Sequence, residues 1–288
     1  MSAPSAFDVR AYMRDPHVLR PADLEPHVMG TLSAPVLEAL TYLWQVERTA
    51  LGRMRDVLIT PTHAESRVTA FLSTWSYEQY WLAETLHTVL AANGRLPQTP
   101  VDTALGGLRR TWDDRARPTV DAINTNLMGA NVVGAHMVTG WLDTAVFALA
   151  YRRLGAAEPA LGELVGAVVR LKARHRAFYA EEATDRLAHS ATARRITRTA
   201  VTLWRFPGTR YAGPGPARAA VLPLLTDPAS RLAVEEIDDA VAAFPGLSGA
   251  HPLCTALGAG RGDSRSGCRH GRAPESAPAA LANDPGRI

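Results

Sequence analysis

Lysine is almost missing from this chain: Lys172 is the only one among 31 basic residues, so the other 30 are arginine. Cysteine is nearly as scarce, with Cys254 and Cys268 alone, both in the C-terminal region. Two such residues make no disulfide framework, and a reduced, cytoplasmic protein is expected. An excess of one charge is also lacking. The net charge is only +3 over 288 residues, and no basic, aromatic-rich motif of a nucleic-acid module occurs, so nucleic acid is not an expected partner. Alternating β-branched runs are absent, which argues against strands. The most apolar stretch, residues 127–150, is interrupted by Asn131, His136 and Asp143, and no membrane span is expected there. The first 30 residues mix Asp8, Arg10, Arg14, Asp15 and Glu25 with prolines, and the apolar core of a secretion signal is not among them.

What is present is an apolar fraction of 47%, arranged with helical periodicity in four long segments. The first covers residues 35–58 behind Ser33, an N-cap candidate. The second starts at Thr62, whose spacing to Glu65 suggests a capping box, and stops at Asn93 and Gly94. The third follows Pro118 and ends near Leu154 and Gly155, and the fourth runs from Pro159 to about His189. A further short helix is expected between Asp227 and Phe244. Beyond about Ser248 large apolar residues almost vanish, which predicts a disordered tail. The resulting division is an N-terminal extension over 1–34, a helical bundle over 35–190, a helical extension over 191–247 and a tail over 248–288.

Steps of about 100° per residue assign each helix an inner face. On the first segment Leu37, Leu40, Leu43, Trp44, Leu51, Met54 and Leu58 form an apolar stripe that contains Glu47. A carboxylate in such a stripe needs a partner. On the second, Val68, Phe71, Trp75, Leu82, Leu86 and Val89 point inward, with Glu78 and Gln79 beside the centre line. On the third, Met137, Trp141, Thr144 and Ala148 face the core and Asp143 faces away. On the fourth, Lys172, His175, Tyr179 and Glu182 share one side. The literal Glu-x-x-His of the chain, Glu84 to His87, falls on the outer face with Tyr77, Tyr80 and Trp81, an aromatic group suited to a dimer contact.

Val46-Glu47, the run from Trp75 through Glu78 and Gln79 to Trp81, the run from Gly140 to Thr144 followed by Tyr151, and Arg174-His175 with Phe178-Tyr179 together resemble the ferritin-like carboxylate-bridged di-iron proteins. The likeness is strongest to the acyl-carrier-protein desaturase-like branch and covers about residues 35–189. It implies an all-α, antiparallel four-helix bundle with an extra C-terminal helix. It also implies a metal pair held by one Glu from each of two helices and a Glu-x-x-His from each of the others.

In that pattern Glu47 and His175 fit ligand positions, and Glu78 and Glu182 are the nearest helpers. Gln79, Leu82, Thr144 and Lys172 occupy the other positions, and a protonated ammonium cannot ligate a metal. The resemblance implies a desaturase- or oxygenase-like oxidoreductase whose ligand set, for iron as a pair or a single ion, is largely lost. The alternative is a non-catalytic bundle that has no metal and binds a hydrophobic small molecule or a paralogue. Electrostatics favours a metal-free polar core of Glu47, Glu78, Gln79, Lys172 and His175, because unpaired buried carboxylates are costly and a lysine supplies the missing charge. An acyl carrier protein, a homodimer partner or a paralogue heterodimer are the partners implied. The basic stretch with Arg194, Arg195, Arg198, Arg205 and Arg210 reads as a solvated connector, with docking to an acidic carrier protein as the alternative.

Overall fold

The computed structural model describes residues 7–24, 30, 32–95, 129–207 and 219–258, and among these the chain is helical with no strand. A short helix α1 (Val9–Arg14) is capped by Asp8, whose carboxylate accepts from the Ala11 N–H at 2.9 Å. The long helices follow as α2 (Ala34–Glu47), α3 (Ala50–Leu58), α4 (Ser66–Ala92), α5 (Val132–Ala157) and α6 (Gly162–His189). The C-terminal elements are α7 (Ala191–Thr202), α8 (Leu222–Thr226), α9 (Arg231–Ala242) and α10 (Pro252–Gly258). The helical bundle packs α2 and α3 on α4, packs α5 on α6, and lays α7, α8 and α9 against α5.

The first expected helix is two helices. A turn at Arg48 and Thr49, where the Thr49 hydroxyl donates to the Val46 carbonyl at 2.6 Å, resets the helical phase. Leu51, expected inside, is therefore 56% exposed, whereas Ala50 is buried. The expected capping box at Thr62 does not form. A 3-10 turn over Pro61–Ala64 is capped by Thr60 instead, Thr62 is fully buried, and α4 begins four residues after Thr62 at Ser66. Its far end stops as expected, with Gly94 at φ +70° accepting the left-handed conformation that L side chains resist.

Helix α5 is buried almost all round, so the single inner face expected for it describes only part of what it buries. By length and composition Gly129–Ala157 is apolar enough to cross a membrane, yet 78% of its most apolar window is buried inside the fold. Gly155, expected to stop the helix, lies within it and lets Val165 of α6 approach: an added Cβ would meet the Val165 side chain at 3.1 Å. Gly140 serves the same end, since a Cβ there would meet the Tyr179 ring at 2.8 Å. Between α4 and α6, Phe71 and Phe178 stack at 3.8 Å, and Phe7 meets Phe178 edge-on at 5.4 Å. Burying each such ring contributes about 1.5–3 kcal/mol.

In the arginine-rich stretch after α6, Arg194, Arg195 and Arg198 lie on a helix that packs on α5, and Arg195, Arg198 and Arg205 are exposed, as a solvated stretch requires. Arg194 donates to the Leu187 carbonyl at 2.7 Å, satisfying the end of α6, and Arg198 donates to the Gly246 and Ser248 carbonyls at 3.2 and 3.1 Å. Residues Pro252–Gly258 form α10 inside the region expected to be a tail, with Leu253 fully buried; residues 259–288 lie outside the described set, as do the expected third-helix start and Arg210. Cys254 is disulfide-bonded, where a reduced thiol was expected.

Candidate functional site

Five polar side chains from α2, α4 and α6 meet in the middle of the bundle. Glu47 closes α2 and is 1% exposed. The Lys172 ammonium on α6 donates to Glu47 Oε1 at 2.7 Å and to Gln79 Oε1 at 3.1 Å, while the Gln79 amide donates to Glu47 Oε2. Tyr151 of α5 adds its hydroxyl at 3.4 Å from Glu47 Oε1, and Arg53 of α3 stands 3.7 Å from Glu47 Oε2 with its guanidinium over the Trp75 ring. Burial pulls Lys172 below the ordinary lysine value, against the attraction of Glu47.

Glu78 and Gln79 are neighbours on α4 and therefore point about 100° apart. Gln79 reaches Glu47, and Glu78 reaches the opposite cleft beside α6. There His175 Nε2 lies 2.7 Å from Glu78 Oε2, which also accepts from the Tyr12 hydroxyl, and the His17 backbone N–H donates to Glu78 Oε1 at 2.6 Å. Burial pushes Glu78 upward, but the donors from His175, Tyr12 and His17 outweigh it and hold the carboxyl below its usual range. Burial, with the Glu78 charge beside it, pushes Tyr12 far up, so its hydroxyl stays a donor. Burial pulls His175 down, so the ring is neutral. It donates from Nε2, and its Nδ1 is buried with no hydrogen-bond partner. Spaced three apart on one face of α6, Lys172 and His175 each serve one carboxylate.

The remaining expected residues stand elsewhere. Glu182 is buried on the same side of α6 but is bound by Arg67 and by Arg186 at 3.4 Å, and Arg67 also holds Glu181 at 2.6 Å and the Phe7 carbonyl at 2.8 Å. This network ties the N-terminal segment to the bundle rather than adding a ligand to the centre. Thr144 spends its hydroxyl on its own helix, donating to the Gly140 carbonyl at 2.7 Å. Leu82 is fully buried in the apolar core. Glu84 is exposed, and His87 is half-buried with its ring 5.9 Å from that of Trp44. Tyr77 and Tyr80 are exposed, while Trp81 is half-buried under the Arg20 guanidinium.

Tyr12 and Arg53 are the participants that the sequence did not single out, and Tyr151 figured there only as part of the resembling motif, with no role at the centre. Tyr12 belongs to a helix too short for periodicity, and Arg53 comes after the phase reset at Arg48. Tyr151 lies on the helix that is apolar on all sides. Asp143, expected to face outward, is instead covered by Trp204, whose indole N–H donates to it at 2.8 Å. Burial pushes its carboxyl up to about 6.

A pair of metal ions would need about six protein ligands, mostly carboxylates. Here both oxygens of Glu47 and both of Glu78 already accept hydrogen bonds, and an ammonium occupies the space beside Glu47. Among the described residues no group of three or more His, Cys, Asp or Glu is placed to hold a metal ion. The donor set does not fit a metal pair. No family model matches the chain, and no curated protein or solved structure does either.

Proposed function

We propose that this chain is a non-catalytic helical bundle, related to the ferritin-like di-iron oxidoreductases, in which an ion pair stands where the metals would be. The observation that carries the reading is the Lys172 ammonium seated between Glu47 at 2.7 Å and Gln79 at 3.1 Å, with lysine and glutamate 2% and 1% exposed. A positive charge at that point performs the neutralising role of a metal without its Lewis acidity or its redox chemistry. The second carboxylate supports the same reading, because Glu78 has three donors of its own. Such a bundle acts by binding. Its partner on this reading is a hydrophobic small molecule or a paralogous chain, the latter through the exposed Tyr77 and Tyr80.

The test is metal content. Full-length protein produced with iron(II) and manganese(II) in excess, then desalted and analysed for metals, is expected to retain far less than one ion per chain and to consume no oxygen with a reductant. Retention of one or more ions per chain, lost on His175→Ala substitution, would overturn the proposal.

A further inference from the structure

A cleft of about 780 Å³ opens between the start of α5 and the outer side of α7, well away from the Lys172 centre. That volume falls within the roughly 300–1,000 Å³ of small-molecule sites. Its floor is apolar, built by Val132, Ala135, Ile196 and Ala200, and no acidic residue lines it among the described residues. Its single cation among the described residues is Arg195. The flanking arginines Arg194 and Arg198 are committed to backbone carbonyls. Arg195 is exposed, and its guanidinium has no hydrogen bond or ion pair among the described residues.

We propose that this cleft binds a small amphipathic carboxylate, with Arg195 and His136 holding the carboxylate and the floor taking the apolar portion. A planar guanidinium matches the two oxygens of a carboxylate. His136 lines the same cleft with Nδ1 already engaged 3.0 Å from Thr62 Oγ1, so the group it has left is Nε2. Burial lowers its pKa to about 4, which keeps the ring neutral. In the tautomer that accepts the Thr62 hydroxyl at Nδ1, the ring proton sits on Nε2 and makes a neutral donor, and the proposal uses that tautomer. One cation plus one neutral donor balances a monoanion and undercharges a phosphate dianion, which is why the carboxylate is favoured.

The walls are set before any ligand arrives. Ala193, Thr197 and Val201 bury the inner side of α7, and Gly134 of α5 lets it close in: an added Cβ there would meet Leu187 at 3.3 Å and Thr197 at 3.4 Å. The inference is independent of the metal-free centre, since it uses none of those residues.

Isothermal titration of the full chain with octanoate at neutral pH tests it, with octanol and octylamine as neutral and charge-inverted counterparts. Octanoate is expected to bind saturably at one site per chain, and both counterparts at least about tenfold more weakly, the scale of one charge-assisted hydrogen bond. Arg195→Glu should abolish binding while leaving the unfolding midpoint unchanged, because the side chain has no structural partner. Ala200→Trp, which fills the floor, should do the same. Octanoate that fails to saturate in the millimolar range, or that binds both variants as it binds the parent chain, overturns the proposal.

Discussion

Replacing Lys172 by Met removes the ammonium and keeps much of the side-chain length, so the effect reports charge more than volume. Glu47 would then be left 1% exposed, with the Gln79 amide, the Tyr151 hydroxyl at 3.4 Å and the Arg53 guanidinium at 3.7 Å as its only supports among the described residues. Removing one partner of a buried pair costs about 3–5 kcal/mol. Arg53 is itself mostly buried and offsets part of that, which sets the expectation near the lower end, about 3 kcal/mol. For a chain of this size that is a fall in Tm of roughly 6–12 °C. Thermal and urea unfolding followed by circular dichroism measure it. The double variant Glu47→Leu with Lys172→Met removes both charges and is expected to return within about 1 kcal/mol of the parent or above it. The cycle then isolates the pair's coupling. A single variant that shifts Tm by less than about 2 °C would refute the reasoning, because a desolvated carboxylate cannot lose its cation so cheaply.

Asp143 gives a pH-dependent expectation. Its folded pKa of about 6 lies above its ordinary 3.8, so the folded state binds more protons in that window and its contribution to stability is lost as pH rises through 6. Asp143→Asn should therefore stabilise the protein by up to about 3 kcal/mol at pH 8 and by nearly nothing at pH 4; a difference constant over that range would contradict the burial argument. Tyr12→Phe deletes a donor to the buried Glu78 carboxylate and should cost about 1.5–3 kcal/mol in urea unfolding, whereas an unchanged midpoint would mean that the N-terminal helix does not seat on the bundle. Gly140→Ala would drive a methyl group into the Tyr179 ring at 2.8 Å. An expected loss of about 1–3 kcal/mol follows, and a gain in stability, as helix propensity alone predicts, would show that α5 and α6 do not pack so closely.

The helical character was legible because apolar spacing over four segments is a property of local sequence. The inward face of α6 was legible for the same reason: Leu164, Val168, Leu171, Lys172, His175, Tyr179 and Glu182 are all buried. Local reasoning failed where a turn changes the phase, as at Arg48 before Leu51, and where a helix is covered on every side, as for α5. It also failed at Glu182, because the side of a helix says that a carboxylate is buried and not which cation it meets. Arg67 lies 115 residues away and came from another helix.

From its sequence alone the chain was bound to be helical and to set its one lysine three residues before a histidine on one side of a helix, while the burial of that lysine was a matter for the fold. The helix and that spacing are matters of residue type and of a 3.6-residue period. Which partner each buried charge takes was decided only by the tertiary structure. Glu78 and Gln79 diverge by one helical step, so one reaches His175 and Tyr12 while the other joins Lys172 on Glu47. A buried charge is stabilised by what surrounds it in space, and its neighbours in space come from four separate helices.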